Sequence, residues 1–232
     1  MGAIRGVLFD KDGTLVDYAA TWLPANLTAA RQAAGGDEAL ATRLLAMAGY
    51  EPHSNRVTPG SALAAGTARD IARLWAPHLP GRDAASLAVE LDAVFAGPGV
   101  EGAVPTTDLP ALFERLKSRG LALGVATSDS AAALTATVER FGLGGYVDFL
   151  AGYDSGHGVK PEAGMARAFC RVCGLEPVES AVVGDNTHDL EMGRAAGFGL
   201  VIGVLTGTGT HEVLSPLADR ILNSIAELED AL

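Results

Sequence analysis

The sequence predicts an α/β fold: a doubly wound, Rossmann-like parallel sheet with an all-helical segment inserted near its start. Three observations predict it. Apolar runs at 4–9, 121–126, 181–183 and 200–204 have the length and residue types of buried strands. Segments of helical period separate the later runs, and repeated βα units imply parallel strands with helices on both faces. Between residues 18 and 100 there are only alanine-rich stretches with helical spacing and no strand-like run. The chain therefore divides into a first core part at 1–17, a helical domain at 18–100 and a second core part at 101–232.

Taken in order, the run at 4–9 ends in Asp10-Lys11-Asp12-Gly13-Thr14, which puts two acids at the carboxyl end of a strand. In open parallel sheets that edge is where ligands bind. In the insert, Leu40, Leu44, Leu45 and Ala48 share a helix face, as do Ala68, Ile71, Ala72 and Trp75, and Leu87, Leu91, Val94 and Phe95. Breaks fall at Gly35-Gly36, at 50–56 and at 76–81, and Gly97-Pro98-Gly99 reads as the return to the core. Asp108 is placed to cap a helix that carries Leu109, Leu112, Phe113 and Leu116 and stops at Gly120. The strand at 121–126 leads into Thr127-Ser128-Asp129, then a helix with Leu134, Val138 and Phe141, then a short strand at 146–151. Pro161 is expected in the first turn of a helix continuing through Phe169. The strand at 181–183 runs into Gly184-Asp185-Asn186-Thr187-His188-Asp189. A helix from about 189 to 196, a strand at 200–204, an edge strand at 219–222 and a last helix at 225–232 complete the chain.

Composition narrows the classes. With 232 residues, 48% hydrophobic and 19% charged, the chain has material for a sizeable core and is not disordered. A net charge of −11 argues against a nucleic-acid partner. No apolar run approaches a membrane span, and the amino end lacks the pattern of a signal peptide. Position 6 is glycine, so Met1-Gly2 does not open a myristoylation motif. The default location is the cytoplasm, and a monomer and a homodimer are both compatible with the sequence. The two cysteines, Cys170 and Cys173, lack a second ligand pair and fall on a helix face with Met165, Phe169 and Val172, which reads as reduced thiols in a core.

An acid pair, a hydroxyl, a lysine and a second acid pair thus follow one another along the chain, each beside a strand end or a loop on the same edge. Asp10 and Asp12 would repel each other without a partner, and a hard divalent cation such as Mg²⁺ suits them. The order Asp10-Lys11-Asp12-Gly13-Thr14, Thr127, Lys160-Pro161 and Gly184-Asp185-x-x-x-Asp189 resembles the four motifs of the haloacid dehalogenase superfamily of aspartate-nucleophile phosphotransferases. The match covers residues 3 to about 205, and the insert lies where the helical cap of the superfamily's first cap class lies. The resemblance implies Asp10 as nucleophile, Asp12 as general acid and then base, and Thr127 and Lys160 on the phosphoryl oxygens. It implies Mg²⁺ held by Asp10, the backbone carbonyl of Asp12 and Asp185, with Asp189 supporting the metal waters or orienting Lys160. Ser128 stands where an asparagine is expected in many such phosphatases.

Within the superfamily, Asp12 argues against a dehalogenase, and the absence of lysine in the cap region argues against a phosphonate hydrolase. The stretch Gly152 to Pro161 resembles the phosphoglycolate phosphatase-like branch. That implies a phosphatase for a small phosphorylated metabolite, 2-phosphoglycolate first. A sugar phosphomutase shares all four motifs, and a catalytically silent phosphate-binding protein is the third alternative. In the cap, His53, Asn55 and Arg56 could read a substrate carboxylate or form a solvated connector.

Overall fold

The computed structural model describes residues 3–54, 56–96 and 100–232. Strand β1 (Gly6–Phe9) is fully buried and delivers the chain into the acidic loop. Helix α1 (Tyr18–Ala33) then opens the insert, with Asp17 accepting a hydrogen bond from the Ala20 amide as its cap. Next come α2 (Glu38–Met47), an antiparallel hairpin of β2 (Tyr50–Glu51) and β3 (Arg56–Val57), α3 (Ala62–Ala65), α4 (Ala68–Trp75) and α5 (Ala84–Val94). These helices enclose a core of their own built on Trp22, Leu44, Ile71, Trp75, Leu87 and Leu91. The Trp75 indole at its centre donates to the Leu44 carbonyl (2.8 Å), which meets its one polar need inside the core. Among its described residues the insert is thus helical with one small hairpin. The hairpin occupies the break at 50–56, because Gly49 and Gly60 turn the chain there and Thr58 bonds back to the Gly49 carbonyl.

The second core part runs α6 (Leu109–Ser118), β4 (Ala122–Ala126), α7 (Ala131–Arg140), β5 (Phe149–Ala151), α8 (Gly164–Cys173) and β6 (Ser180–Gly184). It continues through α9 (Thr187–Ala196), β7 (Leu200–Val204), α10 (His211–Leu214), β8 (Arg220–Leu222) and α11 (Leu228–Ala231). The strands form one six-stranded parallel sheet in the order β5-β4-β1-β6-β7-β8. Val7 lies beside Leu123 on one side and Ala181 on the other. Successive strand residues face opposite ways. Val7 and Phe9 accordingly join Phe113 and Leu116 of α6 in one layer, while Leu8 joins Phe169 of α8 and Leu190 of α9 in the other. That alternation makes the sheet doubly wound.

Several expected boundaries shift, each for a visible reason. The strand at 146–151 shortens to Phe149–Ala151, because the Asp148 carboxylate turns back to accept from the Leu123 amide and Lys117. Pro161 does not open a helix. The Lys160-Pro161 bond is cis, and α8 starts at Gly164, where an added Cβ would lie 1.8 Å from the His157 carbonyl oxygen. In α8 the inward face holds Met165, Ala166, Phe169 and Cys170, whereas Val172 is 63% exposed. Both cysteines are free, Cys170 buried and Cys173 partly so. The last segment is a 3-10 turn at Ile225–Glu227 followed by the single turn of α11.

Phe169 packs so closely that a Cβ on Gly124 would approach its ring to 2.6 Å and one on Gly6 to 3.0 Å. Phe169→Ala should therefore leave a cavity and cost about 3–5 kcal/mol, read as a lower urea midpoint with unchanged slope.

Candidate active site

The strand ends bring the predicted acids to one edge. The Asp10 amide donates to the Val183 carbonyl (2.8 Å), pinning the start of the acidic loop against β6. Gly13 follows with φ of 90°, and a Cβ there would stand 2.5 Å from the Asp185 carboxyl carbon. Only glycine lets the loop pass that close to Asp185. Asp185 is itself held by the Thr208 amide (2.7 Å), and Asn186 and Asp189 form a capping box on α9.

Two buried lysines divide the acids between them. Lys160 Nζ contacts Asp10 Oδ1 at 2.5 Å and Asp189 Oδ1 at 2.6 Å. Lys11 Nζ lies 3.0 Å from Asp12 Oδ1 and 3.0 Å from Asp129 Oδ2. The two carboxylates of the Asp-x-Asp pair therefore sit in different ion pairs although one residue separates them. Asp12 is further bound by the Trp22 indole of α1 (2.5 Å) and lies 3.4 Å from the Thr127 hydroxyl, which accepts from the Asp129 amide.

Burial dominates the electrostatics. It pushes the Asp10 carboxyl up to about 6, with repulsion from Asp189 adding and Lys160 opposing. Asp12 also rises to about 6, burial outweighing the Lys11 ammonium that opposes it. Asp185 rises well above the usual carboxylate range through burial and then repulsion from Asp10 and Asp189. Burial pulls Lys160 down, but the Asp10 and Asp189 carboxylates outweigh it and hold the ammonium above its ordinary value.

This set fits a divalent metal. Asp10, Asp185 and Asp189 each bring one carboxylate oxygen within 4.8 Å of the others, all three buried. Asp10 Oδ2 is buried with no hydrogen-bond partner. Three carboxylates against the single Lys160 ammonium leave two negative charges, which a hard dication neutralises through oxygen donors. The consequence for stability follows from the raised acids. A carboxyl at about 6 in the fold and 3.8 in the open chain contributes stability below 3.8 that is lost as pH rises through 6. A bound dication requires the ionised acids and recovers that loss. Mg²⁺ is therefore expected to raise the melting temperature of the EDTA-treated protein at pH 8 and to have little effect at pH 5. Equal shifts at both values would remove these acids from the metal site.

Over the acids lies a cavity of about 70 Å³ between the core edge and the insert. Ser128 and His188 line it from the core, and Trp22, Asn26, Phe95 and the turn at Leu63 close it from the insert. The structure thus brings together Asp10, Asp12, Thr127, Ser128, Lys160, Asp185 and Asp189. It does not bring His53 or Arg56 there: both are exposed on the hairpin and neither lines the cavity. The hairpin closes on itself, Glu51 accepting from Ser54 (3.0 Å) and Thr58 (2.9 Å). Asn55 lies outside the described residues.

Lys11, Asp129, Trp22 and Asn26 belong to the site as well, although the motif pattern gives them no role. Lys11 carried a signal, a lysine flanked by two acids at a buried strand end. So did α1, where Tyr18, Trp22 and Asn26 recur every four residues along one face.

Residues 4–197 match the model of a family described as a hydrolase, haloacid dehalogenase-like hydrolase. The "Probable phosphatase IndB" of Dickeya dadantii is 31% identical over 93% of this chain and 87% of its own length. A phosphoglycolate phosphatase of Rhodospirillum rubrum is 28% identical over 98% and 90%. Among solved structures, a predicted phosphoglycolate phosphatase from Haemophilus somnus superposes with a TM-score of 0.75 at 18% identity, covering 100% of this chain and 99% of that one. CbbY from Rhodobacter sphaeroides, solved in complex with phosphate, gives 0.71 at 22% identity, covering 97% and 96%. At those identities the two structures attest the fold.

Proposed function

Because this chain belongs to the haloacid dehalogenase-like hydrolases and is a phosphatase, we propose that it is Mg²⁺-dependent and works through an aspartyl phosphate on Asp10. The observation that carries this reading is the Asp10 carboxylate, buried in the cavity wall with one oxygen on Lys160 and the other unpartnered. A carboxylate so placed can attack the phosphorus of a bound monoester, forming a new P–O bond as the bond to the leaving alcohol breaks. Asp12, pushed up to about 6, holds a proton in an appreciable fraction of molecules near neutral pH and delivers it to the departing oxygen. The ionised Asp12 then takes a proton from the water that hydrolyses the acyl phosphate and so returns to its starting state. Lys160 and the Thr127 hydroxyl stand at the same wall to meet the phosphoryl oxygens. Asp189 holds Lys160 in place from behind. Asp10, Asp185 and the Asp12 carbonyl would hold Mg²⁺, which when bound supplies charge neutralisation to the phosphoryl group.

The substrate class is a small phosphorylated metabolite, and because several curated relatives are named phosphoglycolate phosphatase, 2-phosphoglycolate is the first to assay. Phosphate release from a panel of monoesters, with Mg²⁺ and with EDTA, tests the reading. Release that requires Mg²⁺ supports it. Isomerisation of a sugar phosphate without net release would mark a mutase, and phosphate binding without turnover a silent homologue.

A further inference from the structure

The cavity lies between the acids and Lys160 of the core and the side chains of the insert, so a phosphoryl group held by the acids would turn its leaving group toward the insert wall. Its side chains are Tyr18, Trp22, Asn26, Leu63, Ile71 and Phe95, with small residues between them. Among the described residues, no lysine, arginine or histidine of the insert lines it; the two ionisable nitrogens there, Lys160 and His188, both belong to the core wall. The polar atoms of the insert wall are nearly all spoken for. The Trp22 indole donates to Asp12, and the Tyr18 hydroxyl donates to the Leu63 carbonyl (2.7 Å). The amides of Ala64, Ala65 and Gly66 bond to the carbonyls of Ser61 and Ala62. The amino end of α4, which also borders the cavity, is answered by the Thr67–Asp70 capping box and its carboxylate. Nearby Arg69 is stacked over the Tyr153 ring, 4.8 Å from its centroid.

One group on this wall is left without a hydrogen bond of good geometry. Asn26 is 3% exposed and lines the cavity, and its buried side-chain amide nitrogen has beside it only the Tyr18 hydroxyl, which is turned to the Leu63 carbonyl. A buried amide donor left unpaired is unfavourable, and a ligand that meets it removes the penalty. A carboxylate placed against the same wall would be a buried charge with no cation opposite it.

We propose that the leaving group of the natural substrate is an uncharged, largely apolar alcohol with one hydrogen-bonding group, and that Asn26 is the residue that reads it. The inference rests on the phosphatase reading and narrows its substrate class away from carboxylate-bearing esters. Asn26 is a specificity residue acting on the alcohol, apart from the acids and lysines that act on the phosphoryl group.

Three esters of matched size separate the terms: 2-phosphoglycolate, 2-hydroxyethyl phosphate and ethyl phosphate. The wild-type enzyme with Mg²⁺ should favour 2-hydroxyethyl phosphate over 2-phosphoglycolate by at least about tenfold in kcat/KM, and over ethyl phosphate by roughly the same factor. Asn26→Leu should bring the hydroxyethyl-to-ethyl ratio to about one while leaving turnover of ethyl phosphate within about threefold of wild type. Asn26→Asp, which keeps the shape but presents an acceptor, should further weaken 2-phosphoglycolate. A wild-type preference for 2-phosphoglycolate would overturn the inference while leaving the phosphatase reading intact. An unchanged ratio in an Asn26→Leu enzyme that still turns over ethyl phosphate would remove Asn26 as the reader. Failure of the wild type to hydrolyse any monoester would remove both readings together.

Discussion

Asp10→Asn is expected to lower kcat by about 10⁴-fold or more on every phosphate ester, with the fold intact. The amide cannot attack phosphorus as a carboxylate does, and no neighbouring acid can take over. Asp12 is tied to Lys11 and Trp22, and Asp189 to Lys160 and the Asn186 amide. The substitution also removes one of three mutually repelling carboxylates, so the melting temperature should not fall by more than a few degrees. Single-turnover kinetics and circular dichroism on the same preparation check both halves. BeF₃⁻, a mimic of the phosphoryl group on a carboxylate, should bind the wild type and fail to bind the variant. Residual turnover within about tenfold of wild type in a folded variant would end the covalent mechanism.

Lys160→Met is expected to damage both activity and stability, because the one ammonium serves two purposes. Its methionine replacement keeps the volume and removes the charge from between Asp10 and Asp189. Losing a buried cation from a group of carboxylates costs about 3–5 kcal/mol in the metal-free protein. The effect on kcat should be about 10²–10³-fold, the scale of removing a group that stabilises charge in the transition state. Mg²⁺ should restore a large part of the lost stability and little of the lost rate, since a dication can neutralise the acids without standing where Lys160 stands. The double variant Asp10→Asn, Lys160→Met should be less destabilised than the two single effects summed, because with Asp10 made neutral the loss of Lys160 leaves one fewer uncompensated carboxylate. Strict additivity in thermal or urea unfolding would show that the two groups do not interact.

The chemistry-bearing positions were legible because position along a βα chain translates directly into place on the sheet edge. An apolar strand that ends in an acid delivers that acid to the carboxyl edge whatever the connecting segments do. Asp10, Thr127 and Asp185 stand there for that reason, after β1, β4 and β6. Lys160 is different: no strand end immediately precedes it, and its place depends on how the loop at 152–163 folds before α8. The helical character of the insert was legible from spacing alone, since Trp75 and its neighbours recur at 3.6-residue period over a full face. The hairpin within it was not, because two-residue strands carry no periodicity to read.

The sequence by itself determined the order of the core elements, the doubly wound sheet and the placing of Asp10, Thr127 and Asp185 at its carboxyl edge. Those follow from local patterns, the apolar run of β1 and helical spacing in α4 and α5, that need no knowledge of what lies opposite. Only the tertiary structure decided which charges share a partner and what faces the acids. Lys11 pairs with an acid 118 residues away, and Lys160 with one 150 residues away. The docking of α1 over the sheet edge, not any motif, sets Asn26 and an apolar wall above Asp10 while leaving His53 and Arg56 outside. Such pairings depend on distances closed by packing the insert on the core, and a linear pattern does not encode a distance across that gap.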